Sequence, residues 1–146
     1  MEIEVRIDPT CQTPKIVITT DKMTDEINLL VQSLGQAYPQ VIAGFSQEEV
    51  TLLEPNDILR IYAANQKVYA QTDEQAYTLR LRLYELEERL DKRFFVRISH
   101  SEIINLKKIH RLDLSASGTI CVELTDQTTT YVSRRYVTKI KQALGI

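Results

Sequence analysis

The sequence predicts a mainly β fold with short helices, built as small antiparallel sheets preceded by a β-β-α extension. Three observations lead there. Residues 2–8 alternate polar with apolar, the pattern of a half-buried strand. From Asn56 onward, short runs rich in β-branched and aromatic residues are punctuated by turn residues, at the spacing of an antiparallel meander. Apolar residues recur at helical spacing only in brief stretches, 27–34, 79–90 and 137–144.

In chain order, Glu2 to Asp8 forms the first strand, Pro9 and Pro14 bracket a turn, and Lys15 to Thr19 forms the second strand. Asp25 suits a helix start, and Ile27, Leu30, Val31 and Leu34 make one apolar stripe that ends near Gly35, with Pro39 stopping the helix. Val41 to Phe45 and Glu49 to Leu53 read as short strands about a polar turn. Strands at Ile58 to Ala63, Lys67 to Thr72 and Ala76 to Leu79 follow, turning at Ala64-Asn65-Gln66 and Asp73-Glu74. Leu79, Leu83, Leu86 and Leu90 then define a helix able to cover a sheet, with Glu85, Glu87 and Glu88 on its solvated face. Phe94 to Ile98 returns to strand, and Glu102 to Lys108 is a strand or a short helix. Arg111 to Leu114, Thr119 to Leu124 and Thr128 to Val132 turn around Gly118 and Asp126, and Ser133 caps a last helix with the stripe Val137, Ile140 and Leu144.

Composition excludes several function classes. With 146 residues, 43% apolar and 26% charged, the chain has the makeup of an ordinary globular domain. Its apolar runs are only a few residues long and its start is acidic, so a cytoplasmic protein is expected. Cys11 and Cys121 are far apart and without zinc-ligand spacing, which points to two reduced thiols. The isolated Gly35, Gly44, Gly118 and Gly145 form no phosphate-binding turn. His100 and His110 lie ten positions apart, with no nucleophile motif around Ser99 or Ser101. The expectation is a protein that is not an enzyme and uses no cofactor, no metal and no small-molecule substrate.

Net charge divides unevenly. Residues 1–90 hold 8 Lys/Arg against 15 Asp/Glu, whereas residues 91–146 hold 10 against 5. A basic half suggests a polyanion partner, and internal pairing of the two halves is the alternative. The densest set of donors, Arg97, Ser99, His100, Ser101, Asn105, Lys107 and Lys108, falls between Asp91 and Ile109 among apolar anchors. Phosphate positioning uses such side chains.

The run Arg93-Phe94-Phe95-Val96-Arg97-Ile98-Ser99-His100-Ser101, followed by Ile103-Ile104-Asn105, resembles the signature of the LytTR DNA-binding domain. Ser133-Arg134-Arg135-Tyr136 resembles that family's later S-R-R-Y phrase, and Asp57-Ile58-Leu59-Arg60-Ile61-Tyr62 is similar to its opening strand. The resemblance spans residues 46–146 and implies an elongated fold of small antiparallel sheets. Loops of such a fold enter successive major grooves of double-stranded DNA, making the chain a transcription regulator.

By the same resemblance, Arg135 reads a base beside Arg134, His100 reads a base or phosphate, and Ser99 takes a phosphate with Ser101 next to it. Asn65 and Lys67 sit in the first recognition loop, although Ala63-Ala64 stands where the family has an acidic residue. Asn105 joins the contact set, Lys107 grips phosphate, and Arg97 either grips phosphate or braces the fold. Residues 1–45 lie outside the match and are too short for a phosphorylated receiver domain. They are expected to form a homodimer or to serve regulation, and a small membrane protein that restrains the regulator is the implied partner. Two rivals stand beside this reading: a ligand-sensing or protein-interaction module whose basic half takes an acidic partner, and an RNA binder, for which stacking aromatics are not evident.

Overall fold

The computed structural model describes all residues except 13, 38–40 and 116, with the backbone alone at 35–37. The chain divides into two compact units, Met1–Gly35 and Gln36–Ile146. The expected boundary at residue 45 falls inside a strand of the second unit.

In the first unit, of the expected β-β-α, the helix is the element that forms among the described residues. Helix α1 spans Asp25–Ala37, opening with Asp25 and Glu26 in its first turn, where carboxylates favour the exposed N–H groups. The Thr24 hydroxyl accepts the Ile27 N–H at 3.3 Å. Pro39, expected to stop the helix, lies outside the described residues. Residues 2–8 and 15–19 belong to no ladder among the described residues. Their alternation is a strand's, but an isolated strand needs a partner to satisfy its backbone groups, and sequence pattern alone cannot supply one.

The second unit is a β-sandwich. Its strands are β1 (Ile42–Ser46), β2 (Glu49–Leu53), β3 (Arg60–Ala64), β4 (Lys67–Gln71), β5 (Ala76–Leu79), β6 (Phe95–Ser99), β7 (Glu102–Asn105), β8 (Ile109–Asp113), β9 (Ile120–Leu124) and β10 (Thr129–Val132). Helix α2 spans Leu83–Arg89 and α3 spans Val137–Leu144. All pairings are antiparallel, in a seven-stranded sheet ordered β2-β1-β5-β4-β3-β7-β6 and a three-stranded sheet ordered β10-β9-β8. Strand β1 pairs with both β2 and β5. Gly44 permits this, since a Cβ there would lie 2.8 Å from Leu53 Cδ1 and 2.9 Å from Tyr77 Cβ.

Alternation along the strands feeds two cores. Ile61, Ala70, Tyr77 and Ile103 pack one face of the larger sheet against Leu83, Leu86 and Leu90 of the α2 region. Leu59, Ile98 and Ile104 pack the other face against Ile120, Val122, Leu124 and Val132 of the small sheet and Ile140 of α3. Adjacent Ile103 and Ile104 thus serve opposite cores, as strand geometry demands. The ambiguous segment 102–108 resolves into β7 followed by a 3-10 turn at Leu106–Lys108. Ser133 does not cap the last helix through its side chain. A 3-10 turn, Arg134–Tyr136, intervenes, and the Ser133 carbonyl accepts the Tyr136 N–H at 2.8 Å.

Candidate nucleic-acid interface

Three loops come together at one end of the sandwich. The β3–β4 hairpin turns through Asn65 and Gln66, both left-handed with φ of 52° and 63°, the form that matches the twist of paired strands. Lys67 follows, and all three side chains are exposed. The neighbouring β6–β7 turn carries Ser99, His100 and Ser101, and the Ala63 N–H donates to the Ser101 carbonyl at 2.8 Å, fixing hairpin to turn. Pairing in β6–β7 slips between Arg97 and Ser99, leaving Ile98 as the extra residue of a bulge. The Ile98 carbonyl accepts the Ser133 N–H at 2.9 Å, which ties the exit of β10 to the same turn. Arg134 and Arg135 therefore emerge beside Ser99–Ser101, exposed and without an acidic partner among the described residues. Gly118, left-handed at φ 77°, closes the arrangement, because a Cβ there would sit 3.0 Å from Arg134 Nε.

Arg97 points inward and holds this turn from behind. Its guanidinium donates to Glu87 Oε2 at 2.8 Å, to the Ser99 carbonyl at 2.7 Å, and to the His100 carbonyl. Of the two roles left open for Arg97, the geometry selects the brace. Ser99 Oγ accepts the Ser101 N–H at 3.1 Å across the turn, and His100 is exposed at its tip.

Two expected contacts do not join the cluster. Asn105 is 1% exposed: its amide donates to the Ile58 carbonyl at 3.0 Å and its Oδ1 accepts the Lys107 N–H at 3.0 Å. It is a buried bracket between chain segments and lies apart from the exposed donors of the three loops. Lys107 is exposed but stands at the far end of β7, where its Nζ lies 3.9 Å from the centre of the Phe94 ring. Strand rise of about 3.3 Å per residue separates that end from the turn by more than 10 Å.

A family model of the LytTr DNA-binding domain matches residues 48–145. The chain belongs to the LytTr DNA-binding family. It is 36% identical over 132 residues to an uncharacterized HTH-type transcriptional regulator of Staphylococcus aureus (strain NCTC 8325 / PS 47), covering 90% of this chain and 89% of that protein. The counterpart in strain MRSA252 is 35% identical with the same coverage. A solved LytTr DNA-binding domain from Bacillus cereus superposes with a TM-score of 0.72 at 21% identity, over 75% of this chain and all of that one, and so shares the fold. The LytTr unit has no two consecutive α-helices among its described elements. Strand β1 begins before the matched residues and is part of the LytTr sheet all the same.

A polar chain invisible to sequence reading joins the two sheets of the LytTr unit. Thr130 Oγ1 donates to Glu102 Oε1 at 2.9 Å, Arg60 bridges Glu102 Oε2 at 3.4 Å and Gln71 Oε1 at 2.8 Å, and the Gln71 amide reaches Asp126 Oδ2 at 2.6 Å and Thr128 Oγ1 at 2.8 Å. Burial pushes the Glu102 carboxyl above its ordinary value, with Thr130 and Arg60 only partly opposing. Asp126 feels burial too, but hydrogen bonds from Thr128 and Gln71 outweigh it and hold its carboxyl low. Apart from Arg60 and Gln71, 11 positions apart on neighbouring strands, these partners lie 28 to 57 positions apart, beyond any local motif. Glu87 was also missed as a functional residue. It reads as one more solvated carboxylate on a leucine-striped helix, yet it pairs with Arg97 and, at 3.4 Å, with Lys139. Such pairs show that the charge asymmetry is partly neutralised internally.

Proposed function

We propose that this DNA-binding transcription regulator reads a double-stranded DNA half-site with the loop cluster Asn65–Lys67, Ser99–Ser101 and Arg134–Arg135. The observation that carries the reading is convergence: three loops distant in sequence meet at one end and present exposed donors there, with two arginines uncommitted. Arginine suits bidentate readout of guanine in the major groove, whereas serine hydroxyls, backbone N–H groups and lysine position phosphates. Arg135 and His100 are the base readers in this assignment, and Ser99, Ser101, Asn65, Lys67 and Arg134 hold the backbone. Two copies, joined through the first unit, would set two such ends at a fixed half-site spacing.

Titration of Arg135→Ala against a panel of operator variants tests the assignment. Specific affinity should fall by about 1 to 3 kcal/mol, with preference relaxed at one base position. Equal weakening on every sequence would reduce Arg135 to a phosphate contact.

A further inference from the structure

Residues 2–8 keep a strand's alternation but join no ladder among the described residues. Ile3, Val5 and Ile7 lie on one face at 91%, 83% and 91% exposure, and Glu2, Glu4, Arg6 and Asp8 alternate with them. On the charged face, Arg6 Nε bonds Glu4 Oε1 at 3.0 Å, a two-residue spacing that only an extended chain brings to one side. The same unit leaves a groove of about 360 Å³ open, lined by Ile16, Ile18, Met23, Ile27, Val31 and Leu34. An unpaired alternating segment and an uncovered apolar groove in the same unit are both surfaces that a partner can complete.

We infer that residues 2–8 of two copies pair antiparallel about Val5, so that the occupant of this edge is a second copy of the chain. Charge selects both the partner and the register. With Val5 opposite Val5 of the second copy, Glu4 faces Arg6 and Arg6 faces Glu4, giving two attractive cross-strand pairs related by the two-fold axis. Ile3 then faces Ile7 twice, and six aliphatic side chains form one continuous row. Sliding the pairing two residues one way sets Arg6 opposite Arg6, and sliding it the other way sets Glu4 opposite Glu4. A parallel, in-register pair creates both clashes. A one-residue slip turns the aliphatic face outward. Glu2 does oppose Asp8 at the ribbon's ends. There the chain is exposed, and Asp8 is already held by the Thr10 N–H and hydroxyl at 2.9 and 2.7 Å. Because a two-stranded ribbon is marginal in water on its own, the aliphatic row needs a cover, and the two grooves supply an apolar one.

The inference deepens the two-copy reading above and rests on it, and the experiment separates their failures. Sedimentation of the full chain without DNA should show a dimer. Arg6→Glu, which places glutamates opposite each other twice, should weaken dimerisation roughly tenfold or more. The double exchange Glu4→Arg with Arg6→Glu should restore it, since the attractive pairs return with signs reversed. In a Cys11→Ser, Cys121→Ser background, Val5→Cys should cross-link two copies under mild oxidation and Ile3→Cys should not. A monomeric wild type overturns both the dimer and the seam. A dimer that ignores Arg6→Glu, or a double exchange that stays dissociated, overturns the seam and leaves the dimer standing. Unchanged circular dichroism of each variant assigns the effects to assembly, because these side chains belong to neither core of the LytTr unit.

Discussion

At one end of the LytTr unit Arg134 and Arg135 stand exposed in the turn after β10, while at the other Arg93 is clamped to Asp91 and Lys107 lies over the Phe94 ring. Both ends are basic in sequence. They differ in what the chain puts beside the charge. The Arg93 hydrogen bonds hold the Asp91 carboxyl below its ordinary value, so the far end carries its own counter-ion. At the loop end Arg134 and Arg135 have no acidic partner among the described residues. Sequence charge alone therefore overstates the interface, and local neutralisation decides which end offers positive charge to a phosphate backbone.

The comparison breaks most visibly at Asn105. Asn105→Ala strips the buried Ile58 carbonyl and the part-buried Lys107 N–H of their partners, and unfolding in urea should show a loss of about 1 to 3 kcal/mol. Refolded protein should retain its base preference. Selective loss of that preference without loss of stability would return Asn105 to the DNA contact set.

Glu87→Gln comes next, because it weakens the pair that fixes Arg97 behind the recognition turn. Specific affinity should drop several-fold, by about 1 kcal/mol, with the change concentrated at base positions read by His100. Hydrogen exchange at residues 99–101 should quicken in parallel. Unaltered exchange would mean that the carbonyl bonds of Arg97 hold the turn unaided.

A smaller effect is tied to pH at Glu102. Its folded carboxyl titrates above the unfolded one, so its contribution to stability is full below the ordinary carboxylate range and is lost as pH rises through the raised folded value. Relative to Glu102→Gln, the wild type should therefore lose stability between mildly acidic and neutral buffer. Denaturant midpoints for both proteins at the two pH values check this. A constant difference would show that Arg60 and Thr130 fully offset the burial. The smallest expected change is at Lys107→Ala, where the salt slope of DNA binding should stay within error. A fall of about one unit would place Lys107 on phosphate and extend the interface to the far end.

Local chemistry determined much of this protein from the sequence alone. Period-two alternation located most strands within a residue or two, because neighbouring side chains of a strand must serve opposite faces. Leucine spacing placed α2, and Ser99–Ser101 and Ser133–Tyr136 marked two of the three loops that meet at one end, since turn residues and donors are local features. Tertiary structure decided the rest. Asn105 and Arg97 have the same hydrogen-bonding groups wherever they lie, and only packing turned one into a buried bracket and the other into a brace. The Arg60–Glu102–Gln71–Asp126 chain likewise depends on two sheets meeting face to face. Residues 2–8 show the converse. Their alternation was legible and they join no ladder among the described residues, because a strand's pattern states what it can pair with and only a partner edge in space completes its hydrogen bonds.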